Sequence, residues 1–335
     1  MVPDLIVFGD ALVDRFADRA VPGGAPFNVA RHLAGLGFAP LMITRVGNDH
    51  DGDRIVREFE RFAMTIDGMQ IDIDHPTGAV DVVESPTGHA FEILRDRAYD
   101  YIEPDASLIE AQRGAPSPLY FGTLAQRAQL SRHSLASWRA ASDAPTFLDL
   151  NWRDGHVDRD YALELLASVD TLKLNDDELR MVLAWFDAPG DTSHASPREG
   201  DASPQVAALM ERIRVTRVSV TAGAQGYAAF DRAGTCIAAG SATASHIIDT
   251  VGAGDAFSAI ALAGMIAHWP LAAALERASE FAAAVCSIRG AVPAASGFHD
   301  AWRERWGLGP KTVARINVAR TNVERGPDTL GSETS

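Results

Sequence analysis

A chain of 335 residues, 47% of them apolar, is long enough to bury a substantial core, and its formal charge of −15 disfavours nucleic acid and anionic membrane surfaces as partners. Its two cysteines, Cys236 and Cys286, have no metal-ligand spacing and its ten histidines form no HxH or HxxxH pair, which argues against a disulfide scaffold and a zinc site. A reducing compartment, the cytoplasm, is the expected address.

In chain order, LIVFG (Leu5 to Gly9) reads as a strand that the chain enters without a basic-then-apolar leader. A helix over about Asn28 to Leu36, the strand LMITRVG and a helix over about Gly52 to Phe62 follow, which is βαβ grammar. Further strands are predicted at Leu119–Phe121, Thr146–Leu150, Thr171–Leu174 and Val215–Thr221, giving a central, mostly parallel sheet covered by helices. GAVDVVE (Gly78 to Glu84) and HAFEILRD (His89 to Asp96) flank Ser85-Pro86-Thr87-Gly88, a turn signal, and predict an antiparallel hairpin. Such an insertion suits a lid over the C-terminal crevice of the sheet, or an ordinary edge hairpin. Residues 187–204, dense in Asp, Ser, Pro and Gly, read as a mobile surface loop, and residues 320–335 as a disordered tail. The most apolar stretch, Ala256 to Leu275, is broken by His268 and Pro270 and reads as buried helix, not membrane span.

Two segments carry chemistry. GGAPFNVARHLAGLG (Gly23 to Gly37) sets a diglycine turn, with Gly24 open to close approach by a small polar ligand, before Pro26 and Asn28 at a helix mouth. Asn28 can donate to and accept from a sugar hydroxyl or merely cap its helix; Asp14, in GDALVD, can accept from two hydroxyls. DTVGAGDAF (Asp249 to Phe257) joins a glycine turn to a helix over Ala256 to Met265. Its amides can converge on an oxyanion, and Asp255 can take a proton from an attacking hydroxyl. The plainer reading makes Asp255 a helix cap.

Standing in this order, Gly23–Gly47 and Asp249–Phe257 resemble the two signatures of the ribokinase-like (PfkB) family of carbohydrate kinases, over roughly residues 4 to 300. GGAPFNVA is most similar to the bacterial fructokinase branch. The resemblance implies one α/β domain over 1–320, a three-layer α/β/α fold with a small β-sheet lid drawn from about 10–22 and 77–102. It implies ATP as donor, a sugar hydroxyl as acceptor and Mg²⁺ as the companion ion. Asp255 would then be the general base, and Gly252, Ala253 and Gly254 the anion hole. Asp14, Gly24, Asn28, Arg95 and Asn151 would meet the sugar, with Arg97 in reserve for Arg95. Lys173, Asn175, Thr221, Gly223, Gly226 and Gly254 would meet the nucleotide. Asn175 and Glu178, in LKLNDDE, would organise Mg²⁺ and its waters, and Asp249 with the Val251 carbonyl would help hold a monovalent cation such as K⁺. AAAVCSIRGAVPA (Ala282 to Ala294) would flank adenine.

The sequence departs from the fructokinase pattern at Asp10, where Glu is usual, and in DLNWRDG (Asp149 to Gly155), which keeps Asn151 and Arg153 without the family's proline. Ribose, 2-keto-3-deoxygluconate and a nucleoside are therefore alternative acceptors, Phe91, Tyr99 and Tyr101 being candidates for a base platform. A non-catalytic binding or regulatory homologue is the reading from another class, which the intact glycine turn and Asp255 oppose. GLGPKT (Gly307 to Thr312) is a false Walker loop, since Pro310 replaces its glycine. An exposed lid edge would favour a homodimer.

Overall fold

Strand β1 (Leu5–Phe8) is buried on both faces: Ile6 and Phe8 join one apolar cluster while Leu5 and Val7 join another. That alternation requires helices above and below the sheet. The computed structural model describes residues 2–85, 88–186, 200–201, 203–241, 244, 246–295 and 297–309. After β1 come β2 (Leu12–Arg15), β3 (Ala20–Gly23), α1 (Ala25–Gly35), β4 (Pro40–Gly47), α2 (His50–Arg61), β5 (Met69–Asp72), β6 (Gly78–Ser85) and β7 (Gly88–Ile93). The chain continues through α3 (Ala106–Gly114), β8 (Leu119–Phe121), α4 (Gln129–Arg139), β9 (Thr146–Asp149), α5 (Arg159–Leu166), β10 (Thr171–Asn175) and α6 (Asp176–Trp185). It closes with α7 (Pro204–Ile213), β11 (Arg217–Thr221), β12 (Tyr227–Asp231), β13 (Cys236–Gly240), α8 (Ala253–Ile266), α9 (Leu271–Val285) and α10 (Gly297–Arg305).

Nine strands form the large sheet in the order β13-β12-β11-β10-β9-β8-β1-β4-β5. It is parallel except where β12 meets β11 and β13. Side chains of α4, α5, α6 and α7 fill the cluster on one face; those of α1, α2 and α8 fill the other, which α9 extends. This is the expected three-layer α/β/α, ribokinase-like fold. Strand order reverses at β1, so the crevice beyond the carboxyl ends of β1 and β8 is where such a sheet receives ligands.

A separate four-stranded sheet, β3-β2-β6-β7, rises beside that crevice. β6 and β7 pair antiparallel with Ser85 opposite Gly88, in keeping with the expected hairpin, and β2 joins β6 in parallel. Pro86 and Thr87 lie outside the described residues.

Several boundaries differ from expectation. Helix α1 starts three residues before Asn28, because Pro26 is tolerated in a first turn, where no intrahelical N–H bond is lost. Helix α8 starts three residues before Ala256, because Gly252 adopts the left-handed conformation (φ +79°) and releases Ala253 into the helix. Of the segment read as a mobile loop, 187–199 and 202 lie outside the described residues. Its end is a correction: Gly200 N–H donates to Cys236 O at 2.7 Å, Cys236 N–H to Asp201 O at 2.8 Å, and Pro204 already opens α7. The tail 320–335 also lies outside the described residues. Among the described residues, no helix is long and apolar enough to cross a membrane.

Candidate active site

The carboxyl ends of β1, β8, β9, β10 and β11 and the amino ends of α1 and α8 supply the site. At the end of β1, Asp10 is 3% exposed. Gly24 turns with φ +103°, and a β-carbon there would stand 2.6 Å from Asp10 O and 3.0 Å from its Oδ2. A β-carbon on Gly23 would stand 2.6 Å from Asp14 Oδ2. The diglycine is therefore required by two carboxylates packed against backbone.

Asn28, on the first turn of α1, donates from Nδ2 to Asp255 Oδ2 at 2.7 Å, joining the two motifs. Its Oδ1 accepts from the Arg31 guanidinium at 2.5 Å. Asp255 is not a cap: Gly252 holds that position and Asp255 lies in the first turn of α8, partly exposed. Burial pushes its carboxyl up to about 6, against the opposing hydrogen bond from Asn28; Asp149 also raises it, while Lys173 and Arg153 lower it. Burial likewise pushes Asp10 and Asp14 to about 6. The Asp255 charge adds to both shifts and Arg153 offsets both, so these groups share one field.

Gly252 has no room for a side chain, since a β-carbon would lie 2.3 Å from that of Ala291. Ala253 N–H turns back to Thr250 O at a long 3.3 Å, and first-turn amides have no acceptor within their own helix. Behind them Lys173 Nζ stands 3.1 Å from where a Gly254 β-carbon would be. Lys173 is buried and paired with Asp149, which also accepts from Ser258 Oγ at 2.7 Å. The cradle thus combines backbone N–H groups, a helix amino end and a buried cation, a donor set suited to phosphate.

Asn175 and Glu178 form a capping box on α6: Asn175 Oδ1 accepts from Glu178 N–H, and Glu178 Oε2 accepts from Asn175 N–H, each at 2.8 Å. Glu178 Oε1 accepts from Trp152 N–H at 2.7 Å. Burial raises the Glu178 pKa, the Asp149 charge adding to it. Among the described residues, no group of three or more His, Cys, Asp or Glu could cage a metal. The donors present fit a cation held by phosphate oxygens and water, not one chelated directly.

Thr221 ends β11. Gly223 (φ +52°) faces open space, whereas Gly226 (φ +98°) is pressed against Gly240 O, which a β-carbon would approach to 2.0 Å. Of these two, Gly223 has room beside its backbone for a ligand; Gly226 is required by strand packing. Asp249 accepts from Val251 N–H at 3.0 Å and from Gly290 N–H at 2.9 Å, stapling the glycine turn to the segment after α9. Val251 is half exposed. A cavity of about 830 Å³ opens between β13, α9 and α10, its wall including Tyr227, Gly240, Ser241, Ser287 and Ile288.

Asn151 follows β9 with φ +40°, a conformation Asn tolerates. Arg95, beyond β7, donates to Gly155 O, so it bridges the small sheet to the loop after β9. Three contributors were given no role by the sequence reading, Arg153 being noted there only as kept in DLNWRDG. Arg153 acts on Asp10, Asp14 and Asp255 together. Arg127 grips both Asp100 oxygens at 2.7 and 2.8 Å and Leu94 O at 2.7 Å, tying the exit of the small sheet to the core. Arg31 is the third. An arginine one helical turn beyond Asn28 was the available signal for it.

The model of the pfkB family carbohydrate kinases matches residues 5–296. A fructokinase from Klebsiella pneumoniae is 28% identical over 288 residues, covering 78% of this chain and 84% of its own. The solved fructokinase from Xylella fastidiosa with bound ATP superposes with a TM-score of 0.69 at 19% identity, covering 88% and 95% of the two chains. Arabidopsis thaliana ribokinase complexed with ribose and ATP gives 0.69 at 22%, covering 87% and 95%. These two structures are similar in fold.

Proposed function

The chain belongs to the pfkB family of carbohydrate kinases, and from that premise we propose that it transfers the γ-phosphoryl group of ATP to a hydroxyl of fructose, forming fructose 6-phosphate. The observation that carries the reading is the 2.7 Å bond from Asn28 to Asp255, which holds a partly buried carboxylate at a helix amino end beside the polar end of α1. Fructose is favoured by GGAPFNVA and by the K. pneumoniae relative named fructokinase.

In this mechanism the sugar lies against Asp10, Asp14, Gly24, Asn28 and Asn151, with Arg95 at its rim. Asp255 takes the proton of the attacking hydroxyl, a contribution of about 10²–10⁴ in rate. The amides of Gly252, Ala253 and Gly254 receive the charge growing on the γ-phosphoryl oxygens, with Lys173 behind them. Mg²⁺, when bound to the nucleotide, supplies charge neutralisation across the phosphates; Asn175 and Glu178 would hold it through water. Thr221 and Gly223 would take the phosphates or ribose, and the cavity walled by Ser287 and Ile288 would take adenine. Asp249 and the Val251 carbonyl would hold K⁺. Closure of the small sheet as a lid would exclude water, the competing acceptor. Its outer strands β3 and β7 would let a second copy pair edge to edge, and the cytoplasm remains the proposed compartment.

A nucleoside acceptor is disfavoured. Tyr99 is fully buried and Tyr101 stacks on His75 with ring centroids 3.7 Å apart, so of the three candidate platform aromatics only Phe91 is exposed.

The test is ADP release with Mg-ATP against fructose, ribose, 2-keto-3-deoxygluconate, adenosine and glucose, with and without potassium. Turnover with fructose well above the rest supports the reading. A preference for another sugar keeps the chemistry and assigns the change to Asp10 and the DLNWRDG segment; no turnover with any acceptor overturns it.

A further inference from the structure

Resting on that reading, we propose that Arg31 is a positioning residue: its guanidinium decides which way round the Asn28 amide lies, and so presents an N–H donor to Asp255. The two ends of an asparagine amide have nearly the same shape and opposite polarity, so packing alone does not choose between them. A guanidinium has five donors and no acceptor, and it does choose.

Arg31 is 3% exposed and lies one turn beyond Asn28 on α1. One terminal nitrogen donates to Asn28 Oδ1 at 2.5 Å and to Pro22 O at 2.9 Å; the other donates to Glu58 Oε2 at 2.9 Å. The plane lies 4.5 Å over the Phe27 ring, itself stacked on Phe59 at 5.3 Å. Three acceptors and an aromatic face leave the fork one orientation. Reversing Asn28 would set its oxygen against the Asp255 carboxylate and its NH₂ against the guanidinium, replacing two hydrogen bonds by two repulsive contacts.

The consequence reaches the reacting atoms through Asn28. With Nδ2 on Oδ2, the second Asp255 oxygen is left to take the proton of the acceptor hydroxyl, and the ionised carboxylate is favoured. The other charged groups acting on Asp255 are Asp149, Lys173 and Arg153; Asp10 and Asp14 feel its charge in turn. On the far side, Arg31 faces Glu58 and Arg61 of α2.

The experiment compares wild type, Arg31→Met, Arg31→Lys, Asn28→Ala and the Arg31→Met/Asn28→Ala double variant of the full chain. Its readouts are kcat and KM against pH with the preferred sugar, and thermal melting. Glu58 keeps Arg61 at 3.0 Å, so Arg31→Met does not strand it; Arg31→Lys, which still donates, is the second variant should the first fail to fold. Arg31→Met is expected to lower kcat about tenfold and to raise the acid limb of the kcat profile by about half a pH unit, with KM for ATP unchanged. Arg31→Lys should restore part of both, and Arg31→Met should add nothing to Asn28→Ala. An unmoved acid limb in Arg31→Met, or full additivity in the double variant, overturns the proposal. An active Asp255→Asn variant overturns the kinase mechanism and this proposal with it, whereas an inactive one beside an unaltered Arg31→Met overturns this proposal alone.

Discussion

Lys173 Nζ lies 3.0 Å from Asp149 Oδ1 and 3.1 Å from Oδ2, and both side chains are buried beneath the first turn of α8. The pair therefore serves twice: Asp149 compensates the ammonium, and the ammonium places positive charge behind Gly254. Lys173→Met would leave the Asp149 charge buried with, among the described residues, the Ser258 and more distant Tyr120 hydroxyls as its side-chain hydrogen-bond partners. The expected cost is about 3–5 kcal/mol in urea unfolding, and Asp149→Asn in the same chain should recover part of it.

Gly252 and Gly223 both have positive φ but differ in surroundings. Gly252→Ala drives a methyl into Ala291 and adds left-handed strain of about 1–2 kcal/mol, so turnover should be largely lost together with stability. Gly223→Ala meets open space and carries only the strain. It should keep kcat and raise KM for ATP if nucleotide approaches that backbone; steady-state kinetics on the two variants separates the cases.

Asp255 must be ionised to accept a proton, so kcat/KM is expected to fall about tenfold per pH unit below about 6. Stability runs the other way for Asp10, Asp14 and Asp255. Their folded pKa values are raised, so the native state binds more protons than the unfolded chain between about pH 4 and 6. Their contribution to stability is greatest below about pH 4 and is lost as pH rises through about 6. Asp255→Asn should therefore lose about 10²–10⁴ in kcat while its melting temperature at pH 7.5 holds or rises by about 1–3 °C. A clear drop in melting temperature would contradict the electrostatic half of this argument.

Both oxygens of Glu178 accept backbone N–H bonds, from Trp152 and Asn175. Glu178→Gln turns an NH₂ toward one of those donors, with an expected cost of about 1–2 kcal/mol. If the carboxylate also faces the waters of a nucleotide-bound cation, the Mg²⁺ concentration for half-maximal rate should rise severalfold. An unchanged Mg²⁺ requirement would confine Glu178 to capping α6.

The large sheet was legible in the sequence because its strands are short β-branched runs separated by helical periodicity, as in LIVF of β1 and RVSVT of β11. The ends of α1 and α8 were not, since Pro26 and Gly252 act through backbone geometry that an apolar pattern does not carry. Asp255, Asn28 and the glycine turn stood out as motifs. Arg31, Arg127 and the role of Arg153 did not: their partners lie up to 33 residues away or act through a shared field, and a single arginine on a helix or loop has no period to betray it. The His32–His299 contact at 3.0 Å, between residues far apart in the chain, was hidden for the same reason.

His32 has a second contact, with Ala291 O at 3.0 Å, and Ala291 is the residue that crowds Gly252. Asn28 and His32 are one turn apart on α1, one touching Asp255 and the other bracing the strip behind the glycine turn. A single turn of helix, about 5.4 Å long, thus works as a caliper across the crevice. On the proposed reading, Asp255 and the strip behind the glycine turn are held at a spacing given by α1 through these two contacts. A change in residues 246–251 can alter how the turn is reached, but the two contacts stay spaced as α1 sets them.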